Sequence, residues 1–136
     1  MRAIRLALLL SIAASMAGAG PPPESSALAR AREEARRRGT IVMADFYTDW
    51  CGWCRRLNAV VYPDPAVRRE THRLVFIHIN AEKEGTGDAR RYRVDGYPTI
   101  VFIAPDGSVV GRIVGFLPAP KFAERVREVS RHHAPR

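Results

Sequence analysis

The chain has 136 residues, 46% of them apolar and 26% charged; this fits one globular domain and excludes a multidomain machine or a disordered tail. Its 22 basic and 14 acidic residues leave a formal charge of +8, and every basic residue except Lys83 and Lys121 is arginine. Two cysteines are too few for a disulfide scaffold, so the fold must rest on its own apolar core.

Residues 1–19 read as a targeting leader. Arg2 and Arg5 give a positive start, Leu6 to Ile12 an apolar stretch, and Ala17-Gly18-Ala19 a small-residue cleavage site. The apolar stretch is short for a bilayer span of about 20 residues, and Pro21-Pro22-Pro23 stops a helix from continuing. Cleavage near Ala19 or Gly20 places the product in the periplasm or otherwise outside the cytosol; the alternative is a leader retained as an N-terminal anchor. Cleavage also removes two arginines, so the formal charge falls from +8 to +6. No cysteine adjoins the site, which argues against a lipid anchor. Residues 20–25 are then a linker, 26–131 the domain and 132–136 a loose tail.

A helix is predicted over 25–38, capped by Ser25 or Ser26 and ended by Gly39, with Leu28, Ala31 and Ala35 as its apolar stripe. Glu33–Arg37 and Glu34–Arg38 are i,i+4 pairs, and the helix's five arginines read as a solvated face. Residues 40–46 form a nearly continuous apolar run, the pattern of a strand buried on both faces. Helical spacing covers 52–61 and stops at Pro63, and a short helix runs from Pro65 to about His72. Further strands are expected at 74–79, 99–103 and 108–114, the last two joined by a turn at Pro105-Asp106-Gly107. Residues 80–88 read as a polar loop, 88–92 as a short helix, and 118–130 as a closing helix with Phe122, Val126 and Val129 inward. The fold class is α/β: a mixed central sheet with helices on both faces. Each apolar run is used by this one core, so a monomer is expected.

Chemistry concentrates at Trp50-Cys51-Gly52-Trp53-Cys54, where the first strand gives way to a helix. A Cys-x-x-Cys pair there brings two sulfurs within bonding reach. Cys51 at the helix start meets free backbone N–H groups that favour its thiolate. The thiolate is the attacking species in disulfide exchange, and Cys54, one turn in and covered, suits the resolving role. Two other uses of such a pair stay open at this level. One is half a zinc site, which lacks a second pair. The other is a purely structural disulfide, which would do little by closing so small a loop.

The segment Asp45-Phe46-Tyr47-Thr48-Asp49-Trp50-Cys51-Gly52-Trp53-Cys54, followed by Gly96-Tyr97-Pro98-Thr99, resembles the thioredoxin superfamily over roughly residues 26–130. The runs "DFYTDWC", "YPDPAV" and "RIVGF" are similar to exported members, among them the C-terminal domain of the transmembrane reductase DsbD. The resemblance implies the thioredoxin fold, with Pro98 as a cis proline facing the cysteines and Tyr97 offering its backbone to an extended substrate. It implies Asp45 as a buried acid that takes a proton from Cys54. It places His78, where cytosolic members carry lysine, beside that acid. Trp53 beside Trp50 offers a large apolar surface, either for docking or as a cover for the disulfide, and Arg55 follows Cys54 either as a cation near the site or as a solvated side chain.

The interior Gly52-Trp53 departs from the Gly-Pro of thioredoxin itself. It also lacks the histidine of strongly oxidising members, which points to a potential on the order of −180 to −270 mV. The expected activity is thiol–disulfide oxidoreduction with protein thiols and disulfides as partners, alongside a membrane electron donor. The alternative is a binding or chaperone-like module, with His132-His133 as a metal-binding tail. No cofactor or metal is expected beyond the Cys51–Cys54 pair. Nucleic acid is excluded as a partner because the arginines have acidic neighbours and no interleaved aromatic platform.

Overall fold

A computed structural model describes residues 20–133. The leader assigned to 1–19 lies outside the described residues, as does the end of the chain from 134. Helix α1 (Ser26–Arg38) is capped by the Ser25 hydroxyl, which accepts from the Leu28 N–H at 3.2 Å. It ends at Gly39, whose left-handed conformation (φ 62°) lets its N–H close on Ala35 and Arg36 carbonyls. The sheet follows from strands β1 (Val42–Tyr47), β2 (Val75–Asn80), β3 (Thr99–Ile103) and β4 (Val109–Val114), in the order β2-β1-β3-β4. β1 runs parallel to β2 and antiparallel to β3, and β3 and β4 are antiparallel. Helices α2 (Gly52–Arg56), α3 (Pro65–Thr71), α4 (Thr86–Arg91) and α5 (Ala119–His133) complete the chain.

Alternation along the central strands builds two cores. Val42, Ala44 and Phe46 of β1 join Val101 and Ile103 of β3 beneath Leu28, Ala31 and Ala35 of α1. Met43, Ile100 and Phe102 face the other way, onto Leu57, Val61, Phe122 and Val126. Phe46, Phe102 and Phe122 are fully buried. Asp45 alternates with these residues and so falls on the second face, beneath the chain that follows α2.

Several sequence expectations are corrected. The single helix over 52–61 is α2 followed by a π-helical turn, Leu57–Val61, whose Leu57 carbonyl accepts from Tyr62 N–H. This widening carries Leu57 and Val61 inward together before Asp64 caps α3. The loop assigned to 80–88 already contains the start of α4 at Thr86. His132 and His133 belong to the last turn of α5 and not to a loose tail. In α1 the ion pairs are Glu33–Arg36 and Glu34–Arg37, at i,i+3. Arg32 leaves the solvated face: it pairs with Glu24 at 2.7 Å and donates to the Pro105 carbonyl.

One close approach has no sequence signal. A Cβ at Gly111 would lie 2.6 Å from Val129 Cγ2, so glycine lets α5 sit directly on β4. Gly111→Ala is expected to lower stability by about 1–3 kcal/mol through overpacking, read as a drop in melting temperature with activity retained.

Candidate active site

Cys51 and Cys54 are joined in a disulfide, with Cα atoms 5.3 Å apart. β1 delivers the chain to this point, and Cys51 becomes the N-cap of α2. Its Sγ accepts the backbone N–H of Cys54 at 3.1 Å. A backbone N–H so placed can donate to a thiolate at that position. Both cysteines are covered in the oxidised state, Cys51 at 4% exposure and Cys54 at 2%. The expected contrast between an open and a covered sulfur is therefore not present in this state; the asymmetry lies in the hydrogen bond.

Around the disulfide stands an aromatic rim. Trp50 is 65% and Trp53 59% exposed, large values for apolar side chains. Trp50 lies edge-on to Tyr97 with ring centroids 6.0 Å apart, and its indole N–H donates to Glu82 at 3.0 Å. Trp53 packs on Phe116 at 5.2 Å, and the Arg56 guanidinium stands 5.8 Å from the centre of that ring. The Tyr97–Pro98 peptide bond is cis, Pro98 is buried, and its carbonyl accepts from Gly115 N–H at 2.8 Å. That bond ties the Tyr97 turn to the end of β4, next to Phe116. Arg55 is turned to the Asp49 carbonyl at 3.2 Å. Phe116, Arg56 and Glu82 were not singled out from the sequence. Phe116 carried a signal, the "RIVGF" run, whereas Glu82 is brought in by a loop whose path no local pattern records.

On the second face of β1 is a buried acid. Asp45 is 1% exposed. It pairs in register with His78 of β2, which puts both side chains on one face; His78 Nδ1 stands 3.2 Å from Asp45 Oδ2. The His78 side chain is 42% exposed, so it links the interior carboxylate to solvent. Asp45 Oδ1 and the Tyr62 hydroxyl are both buried without a hydrogen-bond partner. Burial first, and then the charge of Asp45, hold the Tyr62 phenol far above its ordinary range. Tyr62 also contacts Phe76, His78 and Phe122 edge-on. It was not singled out from the sequence, although it opens the "YPDPAV" run.

A raised phenol contributes stability that is complete below the unfolded-state value of about 10 and is lost above it. There the unfolded tyrosine ionises while the folded one does not. Wild-type stability is therefore expected to fall above about pH 10 by up to about 1.4 kcal/mol per pH unit from this residue. Denaturant titrations at several alkaline pH values should give a shallower fall for Tyr62→Phe.

Among the described residues no group of three or more His, Cys, Asp or Glu is placed to hold a metal ion. Nor is any helix among them long and apolar enough to cross a membrane.

A covered disulfide at a helix start, ringed by exposed aromatics, is the candidate reacting centre of this fold. Residues 28–130 match the family model of the thioredoxin-like domain, and the chain belongs to that family. It is 33% identical over 97 residues to the thiol:disulfide interchange protein DsbD of Cronobacter sakazakii, covering 68% of this chain and 17% of that protein. It is 36% identical over 104 residues to DsbD 1 of Pseudomonas aeruginosa, covering 71% of this chain and again 17% of the relative. The chain thus spans about a sixth of the length of these relatives. Among solved structures, a thioredoxin from Thermus thermophilus is similar with a TM-score of 0.67 and 37% identity, covering 74% of this chain and 81% of that one. The reduced C-terminal domain of Neisseria meningitidis DsbD gives 0.62 and 30%, covering 75% and 93%.

Proposed function

We propose that the chain is an exported thiol–disulfide oxidoreductase that exchanges electrons with protein cysteines through Cys51-Gly52-Trp53-Cys54, working as a reductant or isomerase-type partner. The observation that carries this reading is the Cys51 sulfur held at the start of α2 by the Cys54 N–H, beside two largely exposed tryptophans. In the reducing direction the Cys51 thiolate attacks a substrate disulfide, forms a mixed disulfide and releases one substrate thiolate. Cys54 then attacks Cys51, the second substrate thiolate leaves, and two electrons have passed to the substrate as the Cys51–Cys54 bond forms. Asp45, under the chain that continues α2, takes the Cys54 proton, and His78 passes it to solvent. Trp50, Trp53 and Tyr97 seat the substrate segment across Pro98.

Supporting the assignment of protein partners is the likeness to proteins named for thiol:disulfide interchange. Export rests on the leader composition of residues 1–19, and re-reduction then calls for a donor in or at the membrane. Two measurements test this together. Mass spectrometry of the protein from its host should find a start near Gly20 or Pro21; an intact Met1 contradicts cleavage. Capture with a Cys54→Ser variant in the same cells should yield exported proteins held through Cys51. Recovery of none, with the variant present in the compartment, contradicts the proposed partners.

A further inference from the structure

A second concavity lies at the far end of the molecule. Thr40 precedes β1 and lines it, whereas Cys51 follows β1, so the cavity and the disulfide are at opposite ends of the sheet. Its volume is about 260 Å³. Arg69 from α3, Arg73 from the turn before β2, and Arg127 and Arg131 from α5 converge on it. The only carboxylate in the lining is Glu70, and Arg127 holds its Oε1 at 2.8 and 2.9 Å. Among the described residues Arg69, Arg73 and Arg131 make no ion pair. Four guanidiniums against one carboxylate leave the walls at a formal +3 with His72 neutral.

Helix ends explain part of this arrangement. Arg69 and Arg131 stand in the last turns of α3 and α5, where cations complement the free carbonyls. Arg73 lies beyond α3, and Arg127 lies outside the last turn of α5, so neither is accounted for in this way. Like charges gathered in one hollow repel, and a tetrahedral anion relieves that repulsion, because guanidinium forks match its oxygens in pairs.

We infer that this cavity binds a phosphate group, carried either by a free phosphate or by a phospholipid headgroup. A lipid held there would turn the tryptophan rim away from the bilayer, toward soluble partners.

The test is calorimetric titration of the oxidised full domain with inorganic phosphate, against chloride at equal ionic strength. Saturable heat is expected with phosphate alone. Arg73→Gln combined with Arg131→Gln should weaken binding at least about tenfold, each losing charge-assisted hydrogen bonds, with insulin reduction unchanged. Glu70→Gln frees Arg127 and should tighten binding several-fold. Identical responses to phosphate and chloride, or a double variant that binds like the wild type, overturn the inference. Sedimentation with vesicles of phosphatidylglycerol against phosphatidylcholine separates the two sources. Retention on the anionic vesicles that the double variant loses assigns a lipid headgroup, and phosphate binding without retention assigns free phosphate. Retention that the double variant keeps is general charge attraction and overturns the lipid source.

Discussion

Cys51→Ser is expected to abolish disulfide exchange, and Cys54→Ser to stall it halfway. The two substitutions remove the same number of sulfur atoms from covered positions three residues apart. They differ in what is left. With Cys54 replaced, Cys51 still stands at the start of α2 with a backbone N–H on its sulfur. It attacks a disulfide once and then has no partner to displace the product. With Cys51 replaced, the remaining Cys54 is enclosed by α2 and the core and lacks that cap. Incubation of each variant with oxidised insulin, followed by non-reducing electrophoresis, reads the difference directly. A stable adduct should form with Cys54→Ser and none with Cys51→Ser. The opposite pattern assigns the nucleophile to Cys54.

Asp45→Ala is expected to stabilise the protein while slowing it. A carboxylate with one oxygen unpaired in the interior costs about 1–3 kcal/mol, and removing it returns much of that. On the proposed mechanism the same change removes the acceptor of the Cys54 proton, a role worth about 10²-fold at the lower end for a positioned base. Asp45→Asn keeps the shape without the basicity, so it should slow exchange as much with a smaller gain in stability. Denaturant unfolding and reduction rates near neutral pH check both halves. Unchanged rates for both variants would make Asp45 a bystander, and lower stability for Asp45→Ala would mean that the carboxylate is better satisfied than its geometry suggests.

Where the chain was legible, periodicity and punctuation agreed. The run 40–46 became β1 because both faces of that strand are covered, and Ser25 and Gly39 bracket α1 by side-chain capping and left-handed closure. The cysteine pair and its tryptophans were readable because spacing alone puts them at a strand-to-helix turn. What was not legible depends on tertiary partners. The π turn at Leu57 keeps the apolar spacing of an ordinary helix, so composition does not reveal it. Arg32 looks like any surface arginine until the 105–107 turn is folded against it. Tyr62 acquires its character first from burial in the folded core and then from Asp45 on another element.

Insulin reduction by dithiothreitol reads directly whether the Cys51–Cys54 pair cycles electrons to protein disulfides. The wild-type domain, added in catalytic amounts, is expected to shorten the lag before insulin precipitates, and Cys51→Ser is expected to leave the uncatalysed lag. If the wild type and Cys51→Ser give the same lag, the pair is a structural bond and the domain is not an oxidoreductase of protein cysteines.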